Sequence, residues 1–162
     1  MKKIVVIISC LTILILFGID FLVVGGFKRV LYTNWQIELP GVYHHKELFV
    51  DFFQTGDMIY TFQYHEKMDA DVEKLIHINH FSKITSENVE VVKGYLLDFY
   101  DRLGTNIDGV QGKMVYNSNI NNEDLLSINN YFLIKTKNNN KTYILLILDM
   151  KEKKIYTFIS IR

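Results

Sequence analysis

The chain opens with its longest apolar stretch: Ile4 to Ile19 is sixteen residues without a charge, followed by Asp20, the run FLVVGGF, and then Lys28 and Arg29. Sixteen residues rise about 24 Å as a helix, short of the roughly 30 Å hydrocarbon core of a bilayer, whereas Ile4 to Phe27 would rise about 36 Å. A transmembrane helix therefore needs the part beyond Asp20, whose carboxylate lies near the far interface and can reach water there. After Arg29 the pattern breaks into short periods. Residues 28–34 read as a connection and Trp35–Leu39 (WQIEL) as a first strand, alternating apolar and polar positions before Pro40-Gly41 turns the chain.

KELFVDFF (46–53) and MIYTFQYH (58–65) flank QTGD, a loop of hairpin length, and predict two antiparallel strands. The period then lengthens. Val72, Leu75, Ile76 and His80 recur at helical spacing behind Asp69 and Asp71, whose charge suits a helix N-terminus. A second helix is expected with Ser86 as its cap, Val89, Val92, Leu96, Leu97, Tyr100 and Leu103 on its stripe, and Gly104 at its close. Residues 105–129, rich in asparagine and glycine, predict loop, with a short strand at KMVYN and a helical turn near EDLLS.

NYFLIKTK (130–137), KTYILLILD (141–149) and KKIYTFISI (153–161) are three β-rich runs whose short separations join antiparallel neighbours. Tyr143 to Leu148 is apolar on both faces and predicts the central, covered strand. The expected fold class is α+β: an N-terminal transmembrane helix, then a two-layer domain of antiparallel sheet, five to seven strands, packed by two helices. Residues 1–29 form the membrane anchor on this reading, and 30–162 a single extracytoplasmic domain, since no repeat, low-complexity tract or proline-rich boundary divides them. WQIELP (35–40) resembles the opening of PsbP-like domains, which also set helices on an antiparallel sheet. The resemblance covers six residues of common strand chemistry and carries no function across.

The one cysteine, Cys10, sits inside the apolar run. IISC, Ile7 to Cys10, resembles the lipobox of bacterial lipoproteins, which implies lipidation at Cys10. Only the segment Ile4–Ser9 separates Lys3 from that cysteine, less than the ~7–15 apolar residues of an export signal, and the apolar run continues past it. Cys10 is therefore expected as an unmodified thiol. A cut near VVGG (23–26) would place Asp20 just upstream of the cleavage site, so retention of the anchor is expected over cleavage. Lys2 and Lys3 flank one side and Lys28 and Arg29 the other, a small bias that, with the MKK start, puts the N-terminus in the cytoplasm and the domain outside.

The charge balance is 18 basic against 18 acidic residues. Setting aside Lys2, Lys3, Lys28, Arg29 and Asp20 leaves 14 basic and 17 acidic, so the domain lacks the field that would gather nucleic acid. A single cysteine excludes an internal disulfide. With 49% hydrophobic residues the chain is expected to form a packed core.

No catalytic constellation is legible. A G-x-S-x-G elbow is missing, and Gly112-Lys113 lacks the first glycine and the following Ser or Thr of a phosphate loop. Asn117, Asn119 and Asn121 alternate like calcium ligands without the aspartate start or the closing glutamate. His77 and His80, three apart on the first predicted helix, are candidate metal ligands, with His65, Glu66 or Asp69 to complete a set. The competing reading of His80 is a half-buried residue of the apolar stripe. His44 and His45 point to opposite faces of an extended segment and cannot share an ion. Tyr43, Phe49, Phe52, Phe53, Tyr60, Phe62 and Tyr64 crowd the first hairpin, Tyr60, Phe62 and Tyr64 sharing one strand face, and any part of this aromatic set left exposed is a candidate surface for a peptide or partner protein.

The functional expectation is a membrane-anchored, extracytoplasmic binding or accessory domain without cofactor, in contact with the lipid bilayer and a protein partner. Two alternatives stand beside it: a small metal-dependent enzyme using the His65–His80 segment, and a subunit of a membrane complex with Asp20 as the helix contact.

Overall fold

The structure, a computed structural model, describes residues 26–41, 44–50, 57–64, 69–105, 122–139 and 141–161. The chain divides into two units, residues 1–38 and 39–162. Among the described residues no helix is long and apolar enough to cross a membrane. The apolar run from Ile4 lies outside them up to Gly25, as do Cys10 and Asp20.

In the first unit, helix α1 runs through residues 26–35. This corrects the reading of 28–34 as a connection and of Trp35–Leu39 as a strand. Phe27, Leu31 and Trp35 follow one another at the i, i+4 spacing of a helix face, and Leu31 and Trp35 are buried. Gln36, at φ 52°, ends the helix in the left-handed region and donates its N–H to Tyr32 O at 2.9 Å, which satisfies one of the terminal carbonyls. Beyond it, Ile37 and Leu39 are buried while Gln36 and Glu38 are exposed. The alternation in the sequence is thus a real alternation of burial, but no strand among the described residues pairs with the segment.

The second unit is α+β, built on a six-stranded antiparallel sheet. Strands β1 (His44–Val50) and β2 (Met58–Gln63) form the expected hairpin, with a shift of register between Glu47 and Phe49. Helix α2 (Asp69–Asn79) carries the chain to the opposite edge, where β3 (Ser82–Lys83) contributes two residues. Helix α3 (Val89–Thr105) and the single turn α4 (Asn122–Leu125) follow. The meander β4 (Tyr131–Lys137), β5 (Thr142–Asp149) and β6 (Lys154–Ser160) then fills the middle of the sheet. The order is β1-β2-β6-β5-β4-β3, so the last strand closes against the first hairpin. All eight residues of β5 are buried, as a strand apolar on both faces requires. The turn before it uses Asn138 and Asn139 at φ 52° and 56°, a region asparagine tolerates better than other side chains.

One face of the sheet packs α3. The row Ile134, Leu145, Phe158, Ile59 runs across four strands, and Val92, Leu96 and Phe99 of α3 join Ile59, Tyr143, Leu145, Ile147 and Phe158 in one buried cluster. Phe99 meets Phe158 edge-on at 5.5 Å between centroids, and Tyr95 meets Tyr143 at 4.9 Å. Tyr143 also donates its hydroxyl to Tyr95 O at 3.0 Å. The row of the opposite face, Leu133, Leu146, Thr157 and Tyr60, is likewise buried.

Three helix details differ from the sequence reading. Phe99 is fully buried whereas Leu97 is half exposed, because the stripe of α3 steps from Leu96 to Phe99 and Tyr100. Asn88, not Ser86, organises the start of the helix: its Oδ1 accepts the Thr85 N–H at 2.8 Å, and its Nδ2 donates to Lys83 O at 3.0 Å. The helix also passes Gly104 and is described as far as Thr105.

Candidate functional site

A cleft of about 380 Å³ lies between α4 and the turn joining β5 to β6. Asp124 and Leu125 reach it from α4, Ser127, Asn129 and Asn130 from the segment leading into β4, Asp149, Lys151 and Glu152 from the turn, and Tyr156 from β6. Asn130 sets its shape. The amide Nδ2 donates to Asp124 O at 2.8 Å and to Leu125 O at 3.1 Å, while Oδ1 accepts the Met150 N–H at 3.1 Å, so one buried side chain ties the helical turn to the strand turn. Asp149 is spent on the turn itself: its Oδ1 accepts the N–H groups of Lys151 at 2.9 Å and Glu152 at 3.0 Å.

The electrostatics of this cleft are set by carboxylates. Burial pushes the Tyr156 phenol above its ordinary pKa, and the negative charges of Asp149, Glu152 and Asp124 push it further. Its ring carries Lys154 Nζ at 5.5 Å from the centroid. A phenol held in its protonated form can donate a hydrogen bond, and the carboxylates around it favour cations, but no nucleophile and general base converge here.

Among the described residues, the sequence candidates His77 and His80 do not line this cleft. His77 is exposed on α2. His80 lies past the helix at φ 58° and is exposed too, which corrects its place on the apolar stripe; Asn79 takes the buried position instead. The cause is the helix end. His80 donates its N–H to His77 O at 3.3 Å and Phe81 donates to Ile76 O at 3.0 Å, a Schellman closure in which His80 fills the left-handed position usually held by glycine. Among the described residues no group of three or more His, Cys, Asp or Glu side chains is arranged to hold a metal ion. His65 and Glu66 lie outside the described residues, as do Gly112, Lys113, Asn117, Asn119, Asn121 and the predicted KMVYN strand.

His44 and His45 stand in β1, their backbones paired with Gln63 and Phe62. Tyr60, Phe62 and Tyr64 are all buried, so this part of the aromatic set is core and offers no surface.

Three buried polar groups escaped the sequence reading. Asp57 accepts hydrogen bonds from Ser160 Oγ at 2.8 Å and from the Ile161 N–H at 3.3 Å, joining the start of β2 to the end of β6. The Thr157 hydroxyl and the Tyr64 hydroxyl are buried and make no hydrogen bond. Burial raises the Tyr64 phenol far above its ordinary pKa, and the charge of Asp71 adds to the rise. The only sequence signal available was the place of Asp57 and Thr157 at or within β-rich runs.

Comparison with protein-family models, with curated proteins and with solved structures gives no match.

Proposed function

We propose that the chain is a membrane-tethered binding or accessory domain, held by an uncleaved N-terminal helix and displayed on the outer side of the cell membrane. The observation that carries this reading is continuity. Helix α1 is already formed at Gly26, directly after the apolar residues, with no polar tether between the lipid-compatible segment and the folded chain. A segment of this composition partitions into hydrocarbon, and the helix satisfies its backbone groups there.

An accessory role is supported by the chemistry of the domain. Its polar clusters hold turns and strand ends together: Asn130 and Asp149 fix the cleft, and Asp57 closes the sheet. Partner recognition then belongs to the surface of the domain and to the bilayer beside it.

The test is the state of the full-length protein in isolated membranes. After an alkaline carbonate wash the protein should remain in the pellet with the intact mass of the 19.1 kDa chain. Release into the supernatant, a mass beginning near residue 26, or a diacylated chain beginning at Cys10 would each overturn the tether as described.

A further inference from the structure

The described face of α1 has a composition that its own unit does not use. Leu31 and Trp35 are buried on one side, while the other side exposes Arg29, Val30 at 45% and Tyr32 at 57%. Tyr32 stands one turn from Arg29, so an exposed aromatic ring and a guanidinium are neighbours on the helix surface, with Val30 flanking Arg29 on its other side, a pairing of the type that settles at a lipid–water boundary, where the aromatic ring lies among headgroups. The charge of the region points the same way. From Phe21 to Ile37 the chain contains Lys28 and Arg29 and no acidic residue, in a protein whose remainder is mildly acidic.

Distance fits the same placement. If Phe27 marks the edge of the hydrocarbon, the span from Lys28 to Tyr32 rises about 6 Å, which matches the ~5–7 Å headgroup layer on one side of a bilayer. We infer that the exposed face of α1 lies within the headgroup layer of an anionic bilayer, with Arg29 at the lipid phosphates and Tyr32 at the aqueous edge of that layer. This rests on the tether reading and adds to it a lipid contact made by described residues, selective for anionic headgroups. A lipid surface is favoured over a protein groove because the patch joins a cationic group to an apolar and an aromatic one directly beside a lipid-compatible run.

The experiment uses the full chain with Cys10→Ser and Tyr32→Cys, carrying an environment-sensitive fluorophore at position 32, and a control with the label at the exposed Lys141. Both are reconstituted in vesicles of phosphatidylcholine containing roughly one quarter phosphatidylglycerol, with a quencher on the lipid headgroup. The expected result is flotation with the vesicles and quenching at position 32 at least about threefold stronger than at position 141, reduced about twofold or more by Arg29→Glu or by removing the anionic lipid. Failure to float would overturn the tether itself. Flotation with equal quenching at the two positions would overturn the lipid contact and leave the tether standing, and stronger quenching at 32 that ignores both Arg29→Glu and lipid charge would overturn the anionic selectivity.

Discussion

Polar groups inside the sheet and one glycine carry the sharpest single-residue consequences. The Thr157 hydroxyl is fully buried and makes no hydrogen bond, so folding strips it of water with nothing in return. Thr157→Val keeps the shape and removes that cost; the expected outcome is a gain of about 0.5–2 kcal/mol in urea unfolding, and a loss would show that the hydroxyl is engaged. Gly41, at φ 64°, faces the Asp71 side chain so closely that a Cβ there would come within 2.5 Å of Asp71 Cγ. Gly41→Ala should therefore cost about 1–3 kcal/mol, and adding Asp71→Ala should recover only the part due to the Asp71 Cγ and Oδ2 contacts, leaving the 2.8 Å approach to Asp71 Cβ and the backbone strain. Full recovery in the double variant would contradict the strain. Neither feature is legible in the sequence: Pro40-Gly41 announces a turn, but the residue packed against it lies 30 positions later. An isolated threonine in a β-rich run equally says nothing about whether its hydroxyl finds a partner.

Elements were legible where a single periodicity ran without competition. The meander β4–β5–β6 and the β1–β2 hairpin follow from β-rich runs set close together, with asparagine marking the β4–β5 turn and glycine the β1–β2 loop, while the β5–β6 turn carries neither. Trp35–Leu39 misled because period two also arises in an irregular segment that buries every second residue, and the Phe27-Leu31-Trp35 spacing was the better guide. In α3 the stripe was right in direction and wrong by one position. Phe99→Ala should cost about 3–5 kcal/mol, since it removes a ring buried against Phe158, whereas Leu97→Ala should stay within about 0.5 kcal/mol. Comparable losses for the two would mean that α3 presents a different face to the sheet. Of the metal candidates, His80 leaves the helical register of His77 at the Schellman closure of Asn79–Phe81, while His65 and Glu66 lie outside the described residues.

For the whole molecule, the phenols give a pH signature. Tyr100 is pushed up to about 12 by burial, against an ordinary 10.0, and Tyr64 and Tyr156 are raised by burial and then by nearby carboxylates. Above pH ~10 the unfolded chain gives up these protons while the folded one keeps them, so the folded state binds more protons and stability falls as pH rises. The Tyr100 contribution is intact below pH ~10 and is lost as pH rises toward about 12, and Tyr64 and Tyr156 act in the same direction; the lowered ammonium of Lys135, shifted by burial, works in the opposite sense. Urea midpoints measured across that window should decline, and Tyr100→Phe should flatten the decline. An unchanged slope would remove Tyr100 from the account.

The tether remains the claim on which the placement of the whole chain depends, and Cys10, the single thiol, reports on it directly. The decisive measurement is labelling of the membrane-fraction protein with an impermeant maleimide, before and after denaturing detergent. On the proposed tether the thiol is free and lies within the lipid, so no label is expected before detergent and one label per chain after it. Labelling without detergent, or none in its presence, would contradict it.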